Sequence, residues 1–222
     1  EIVAESVQPS LDGLMLKVRT PWGRIALKSA LLGRFNASNL LAVLGGLLSL
    51  GYGLEQSAQA LSTVAPVAGR MQCLREGQSP LAVVDYAHTP DALEQALSAA
   101  REHTEGKLWC VFGCGGGRDT GKRSEMGRIA VTLADVLTTD NPREEATESI
   151  LHDIQEGLSG RVATIIIDRA EAIAHALKNA AADDVVLIAG KGHETYQEIM
   201  GVRYPFNDVE QVQLALSTRS TT

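Results

Sequence analysis

The sequence predicts an α/β protein: a mostly parallel sheet wrapped by helices, preceded by a smaller strand-and-helix unit. Three observations predict it. From residue 81 onward, short and almost wholly apolar runs alternate with helix-length segments. Those runs have no polar face to turn to water, so the strands they form are covered on both sides, as in a parallel sheet. Ahead of them, two alternating runs and two helical stretches have a different rhythm, and the Pro- and Gly-bearing "APVAGR" at 65–70 separates the two parts.

Taken in order, "GLMLKV" (13–18) and "RIALKS" (24–29) are strand-like, and "TPWG" between them supplies turn residues, so a β-hairpin is expected. "FNASNLLAVLGGLLSLGYG" reads as a helix that starts on polar residues and stops at Gly51 and Gly53. "LEQSAQALSTV" reads as a short amphipathic helix. The later strands are expected at 81–86, 107–112, 135–139, 162–167 and 184–190. Helices are expected at 89–102, 122–133, 147–158, 169–182 and 208–217, the last with Asp208 as its N-cap. The sheet so described is Rossmann-like, and the domain boundary falls between residues 68 and 69.

The 222 residues are 45% hydrophobic and 21% charged, as in ordinary globular chains, with a net charge of −7. That balance disfavours nucleic acid and anionic membrane surfaces as partners. Three cysteines without a framework spacing predict a reduced, cytoplasmic protein, and Cys110 and Cys114 lack zinc or redox spacing. The longest apolar run, residues 40–50, is well short of the ~20 residues of a membrane span. No secretory signal opens the chain, and "EIVAESVQPS" reads as strand from the middle of a longer protein.

The unusual residues fall just after the predicted strands, where open α/β sheets bind ligands. "DYAHTPD", "GCGGGRDTGKR", "TTDNPREE" and "AGKGHETYQ" would then share one rim. In the glycine-rich segment, residues 116–123 come within one letter of a P-loop, but Arg123 stands where the magnesium-binding hydroxyl belongs. The dinucleotide pattern also fails, at Arg118. Flexible backbone plus Arg118, Lys122 and Arg123 suits a carboxylate or a phosphate. For Lys122 and Arg123, a solvated helix start is an equal reading. In "DNPR", Pro142 stiffens the loop, so that Asp140 and Arg143 could grip the ammonium and carboxylate of a zwitterion, with a surface turn as the other reading. Gly190 and Gly192 permit close backbone approach, Glu194 can accept from an ammonium, and His193 suits structure more often than ligation. Asp85 and His88 sit at a strand tip, open to base, metal-ligand or nucleotide roles. Asn36 and Asn39, three apart at a helix start, share a face; one could cap, and two suggest a further task.

In order along the chain, "GRFNASNLLAV", "PVAGRM", "VVDYAHTPDALE", "VFGCGGGRDTGKR", "DNPR" and "AGKGHETYQ" resemble the Mur ligases of peptidoglycan synthesis. The resemblance covers essentially the whole chain. It implies the end of a central α/β ATPase domain (1–68) followed by the carboxyl-terminal amino-acid-binding ligase domain (69–222). The family's P-loop, its metal-binding Glu and His and its modified lysine have no match here, so any Mg2+ ligands are expected upstream and this piece alone is expected to be inactive. By resemblance, ATP is met by Asn36, Asn39, Arg70, Asp85 and His88. The amino-acid pocket takes Arg118, Asp140, Asn141, Pro142, Arg143, Gly190 and Glu194. The implied reaction is ATP-dependent amide formation through an acyl phosphate, adding meso-diaminopimelate to UDP-N-acetylmuramoyl-L-alanyl-D-glutamate, because "DNPR" marks diaminopimelate addition in the family. A monomer acting on small molecules is implied, with no nucleic acid and no membrane. A lysine-adding ligase and a non-catalytic amino-acid or nucleotide receptor are the alternatives; an oxidoreductase lacks its glycine fingerprint. The sequence departs from the family pattern at Ser124 and Thr147, each where proline is usual, and is about two residues short before Asp140 (a strand averages about 5–6 residues).

Overall fold

The computed structural model describes residues 1–114, 120–139, 147–161, 163–199 and 201–220. The chain divides into two compact units, residues 1–66 and 67–222.

The first unit opens with three antiparallel strands, β1 (Val3–Ser10), β2 (Gly13–Thr20) and β3 (Gly23–Ser29), followed by helices α1 (Arg34–Ser49) and α2 (Leu54–Ser62). The expected hairpin is β2–β3, with Thr20 facing Gly23 across the turn. Along β2, Leu14, Leu16 and Val18 are buried and Met15, Lys17 and Arg19 are exposed, the period-2 pattern of a sheet covered on one face. The buried row meets Leu40, Leu44 and Leu48 of α1 and Leu54, Ala58 and Leu61 of α2, which form one apolar cluster with it.

The second unit contains β4 (Gln72–Leu74), β5 (Leu81–Asp85), α3 (Pro90–Arg101), β6 (Leu108–Phe112), α4 (Gly121–Leu133), β7 (Val136–Thr139), α5 (Thr147–Gly157), β8 (Thr164–Ile165), α6 (Arg169–Asn179), β9 (Val185–Ala189), β10 (Tyr196–Ile199), β11 (Val202–Pro205) and α7 (Asp208–Ser220). Its main sheet has the order β4-β5-β9-β6-β7-β8. All neighbours are parallel except β4, an antiparallel edge on β5. Every residue of β5, β6 and β9 is buried. One face of these strands packs with Ala172, Ile173, Ala176 and Leu177 of α6 and Val212 and Leu216 of α7. The helix α3 packs on β6 and β9. The fully apolar runs in the sequence are thus central strands covered on both sides.

Local chemistry sets the helix starts. The hydroxyl of Thr89 accepts from the Ala92 N–H, and Pro90 takes the first turn of α3, where its missing N–H costs nothing. The Asp168 carboxylate accepts from the Glu171 N–H at α6. At α7 the expected cap is displaced by one residue: Asn207 Oδ1 accepts from the N–H groups of Val209 and Glu210. Asp208 instead receives the Arg169 guanidinium through both oxygens, at 2.7 and 2.9 Å.

Several elements differ from expectation. Among the described residues of the predicted strand at 162–167, only the two of β8 are in a strand. The edge strand β4 and the β10–β11 hairpin were not anticipated. Among the described residues no helix is long and apolar enough to cross a membrane.

Candidate active site

The strand order places β5, β9, β6 and β7 side by side, so their carboxyl ends lie in a row. Asp85 closes β5 opposite Ala189, which closes β9. Phe112 closes β6 opposite Thr139, which closes β7. Of the residues expected beyond these ends, Arg118, Asp140, Asn141, Pro142 and Arg143 lie outside the described residues. The others are placed as follows.

Arg70, Asp85, His88, Gly190 and Glu194 come together around the exits of β5 and β9. The carboxylate of Asp85 is buried and shared. Its Oδ2 accepts from the Met71 N–H at 2.8 Å, and its Oδ1 accepts from the Ala87 N–H at 2.8 Å. It therefore ties the 67–71 turn to the end of β5. Its carbonyl accepts from the Gly190 N–H at 3.0 Å, which ties in the exit of β9.

Glycines make that junction possible. Gly69, at φ 66, lies so near the next turn that an added Cβ would stand 2.1 Å from the His193 nitrogen. Gly192, at φ 54, would place a Cβ 2.6 Å from the Gly69 oxygen and 2.8 Å from Tyr86 Cβ. The close approach read for Gly192 in the sequence is therefore made to the chain's own backbone. At Gly190, φ 117, nothing lies within 4 Å of where a Cβ would be.

Tyr86 is the centre of the exposed part. The Arg70 guanidinium lies 4.8 Å from its ring centroid, the His88 ring meets it edge-on at 4.7 Å, and the His193 ring lies tilted at 5.3 Å. His193 thus packs against an aromatic ring, the structural role favoured for it. His88 Nδ1 is 2.9 Å from the Tyr86 carbonyl. Arg70 and His88 are both exposed, so a cation and an imidazole face solvent over an aromatic base. This chemistry fits an anionic, hydroxyl-bearing ligand such as a nucleotide.

The two cations at the start of α4 separate. Lys122 reaches the His88 carbonyl, 3.3 Å away, and so joins the rim. Arg123 is neither solvated nor at the rim. It is buried, and its Nη1 donates to Asp153 Oδ2 of α5 at 2.8 Å. Around this pair the helix backbones touch: a Cβ on Gly157 would stand 1.9 Å from the Ser124 oxygen. Glu194 meets an internal partner, the Lys191 ammonium, at 2.9 Å. Cys73 in β4 is pushed up by burial to a pKa of about 11, so it is a neutral thiol at physiological pH.

In the first unit, neither Asn36 nor Asn39 caps α1, whose N-cap is Gly33 at φ 81. Asn36 Nδ2 donates to the Leu32 carbonyl at 2.8 Å, and Asn39 Nδ2 donates to Asn36 Oδ1 at 3.0 Å. The two amides form a linked pair at the helix start, with Asn39 exposed.

The residues missed by sequence reasoning are Tyr86, Gly69 and Lys191. Tyr86 lies between the polar Asp85 and His88 in "DYAH", and an aromatic residue at a strand exit carries no signal of its own. Lys191 and Glu194 are three apart across a Gly-Lys-Gly turn, a spacing that could have signalled the pair.

The profile described as "Mur ligase, glutamate ligase domain" matches residues 69–192. The chain belongs to the Mur ligase family. Among individual Mur ligases, it is 54% identical over 208 residues to the UDP-N-acetylmuramoyl-L-alanyl-D-glutamate–2,6-diaminopimelate ligase of Pseudomonas aeruginosa, covering 92% of this chain and 43% of that one. It is 50% identical to the ligase of the same name from Coxiella burnetii, covering 97% and 45%. A solved structure of a 2,6-diaminopimelate ligase superposes with a TM-score of 0.85 at 40% identity, covering all of this chain and 46% of that one. The chain therefore spans less than half the length of these relatives. At 21% identity, MurC of Thermotoga maritima shares the fold, with a TM-score of 0.68.

Proposed function

We infer that this Mur ligase chain is the carboxyl-terminal part of an ATP-dependent, cytoplasmic ligase that adds meso-diaminopimelate to UDP-N-acetylmuramoyl-L-alanyl-D-glutamate. Residues 1–68 supply the end of the ATP-binding domain and residues 69–222 the amino-acid-binding domain. The observation that carries this reading is the 54% identity to a diaminopimelate ligase over 92% of the chain. The gathering of Arg70, Asp85, His88, Gly190 and Glu194 at two adjacent strand exits supports it.

In this reading ATP transfers its γ-phosphoryl group to the carboxylate of the muramyl dipeptide, releasing ADP. An amino group of diaminopimelate then attacks the acyl carbon. Phosphate leaves as the amide bond forms, and the amine gives up its proton. The chain's own residues bind and orient. Arg70 and His88, exposed over Tyr86, contact the nucleotide; by the resemblance, Asn36 and Asn39 also belong to the nucleotide contacts. Asp85 holds the turn that carries Arg70. Glu194 accepts an ammonium of the amino acid, and the Gly190 backbone lies beside it. Arg118, Asp140, Asn141, Pro142 and Arg143 complete the pocket. Among the described residues no three His, Cys, Asp or Glu side chains gather to hold a cation. By the resemblance, the Mg2+ that would neutralise phosphate charge is held by ligands elsewhere in the ligase.

Diaminopimelate carries a second zwitterionic head at its far end, where lysine carries only an ammonium. Arg143 suits the distal carboxylate and repels the lysine tip. The full-length ligase containing this segment is expected to prefer diaminopimelate over lysine by about a hundred-fold or more in kcat/KM. Equal use of the two amino acids would refute the assignment. Arg143→Ala should weaken diaminopimelate binding by about 1.5–3 kcal/mol, the scale of a charged hydrogen bond. Calorimetric titration checks this, and unchanged affinity removes Arg143 from the pocket.

A further inference from the structure

The turn that leaves β9 is built around a charge pair. Gly190 exits the strand at φ 117, and the turn closes with the Glu194 N–H donating to the Lys191 carbonyl at 3.0 Å. Inside it the Lys191 ammonium donates to Glu194 Oε2 at 2.9 Å and to the Tyr196 carbonyl at 2.6 Å. The Lys191 side chain is 11% exposed and that of Glu194 is 18% exposed. Tyr196 is anchored in its turn. It pairs with Pro205 across the β10–β11 hairpin, and the Arg203 guanidinium lies 4.5 Å from its ring centroid. This is not a solvated surface lysine, whose ion pair would contribute almost nothing. Its ammonium is held at two points and largely withdrawn from water, so it fixes the carboxylate it touches.

We propose that Lys191 is a positioning residue for amino-acid recognition: it locks the Glu194 carboxylate in place at the exit of β9, ready for the ammonium of the incoming amino acid. This rests on the reading of Glu194 as the ammonium acceptor. A carboxylate has about four acceptor sites, so the bond to Lys191 is compatible with further donors on the same group. A free glutamate has several rotatable bonds, and ordering it before the ligand arrives removes that cost from binding. The opposite role, a lysine that occupies the ammonium's own position and must be expelled, predicts the opposite sign.

The test is steady-state kinetics of the full-length ligase with Lys191→Met and Lys191→Arg. Lys191→Met is expected to raise KM for diaminopimelate roughly 10-fold, the scale for loosening a positioned binding group, with KM for ATP within about two-fold of the parent. Lys191→Arg, which keeps the cation, is expected to recover most of the loss. A Lys191→Met enzyme with unchanged or lowered KM for diaminopimelate overturns the proposal. So does a joint rise of both KM values that arginine does not rescue, because that marks a purely structural role. A parent enzyme that ignores diaminopimelate defeats the ligase reading and the proposal with it. A parent that uses diaminopimelate while Lys191→Met matches it defeats the proposal alone.

Discussion

Gly69→Ala is expected to destabilise the protein by about 2–5 kcal/mol in equilibrium urea unfolding. Two costs combine. The φ of 66 at Gly69 is a left-handed conformation that costs an L side chain roughly 1–2 kcal/mol. The new Cβ would also stand 2.1 Å from the His193 nitrogen and 2.3 Å from the Gly192 carbonyl carbon, both backbone atoms that no rotamer change can move aside. Forcing a group into packed surroundings typically adds about 1–3 kcal/mol. Gly77→Ala separates the two costs. Its φ of 50 is also left-handed, but nothing lies within 4 Å of its would-be Cβ, so only the conformational cost applies. The excess of Gly69→Ala over Gly77→Ala measures the overlap. Equal losses in the two variants would mean that the 67–71 and 190–194 turns are not pressed together as described. The substitution also bears on function, because Arg70 follows Gly69 directly and Met71 carries the N–H that Asp85 holds.

The sheet was legible because its central strands are extreme. "LAVVD", "LWCVF" and "VVLIA" offer no polar face, and burial on both sides is the only arrangement that suits them. The β10–β11 hairpin was illegible for the converse reason. Its residues Tyr196, Gln197, Glu198 and Arg203 are polar or amphipathic, and all four residues of β11 are exposed, so no hydrophobic alternation marked it. The short β4 carries too few residues to show a period. Pairings between distant segments were also hidden. Arg123 read equally as an anion contact or a solvated helix start, because its partner Asp153 lies thirty residues away on another helix. Asp208 looked like a cap because acidic residues favour helix starts, yet Asn207 caps α7 and Asp208 serves Arg169. Of the four predicted loops, those after β5 and β9 meet at adjacent strand exits, and glycines or charged residues after the strands had marked both. The division of labour inside the site was not legible. Sequence alone could not show that Asp85 is bonded through both oxygens to backbone, or that Glu194 is held by Lys191.

Arg169→Met is expected to cost about 3–5 kcal/mol of stability, the loss typical when one partner of a buried ion pair is removed. Arg169 opens α6, where a cation works against the positive end of the helix dipole. The position is accounted for by what it faces. Its Nε and Nη2 meet the two oxygens of Asp208 at 2.7 and 2.9 Å, and Nη2 also donates to the Ala189 carbonyl at 3.0 Å. Arg169 is 3% exposed and Asp208 is 0% exposed, so neither charge has water to fall back on. One guanidinium therefore ties together the starts of α6 and α7 and the last residue of β9. Methionine fills similar volume but leaves the Asp208 carboxyl in a dry site without its cation and the Ala189 carbonyl without that donor. The double variant Arg169→Met/Asp208→Leu removes both charges and is expected to recover most of the loss, because a well-packed apolar pair can match a buried ion pair in stability. Guanidinium unfolding of the parent, the two single variants and the double variant closes the cycle. A single variant within about 1 kcal/mol of the parent, or a double variant no more stable than Arg169→Met, would mean that the pair does not carry this junction. Ala189 immediately precedes Gly190 and the Lys191–Glu194 turn, so the junction is also what fixes the exit of β9. Partial disorder of that turn in Arg169→Met is expected to appear as faster hydrogen exchange at Gly190, whose N–H bonds the Asp85 carbonyl, and at Glu194, whose N–H closes the turn on the Lys191 carbonyl.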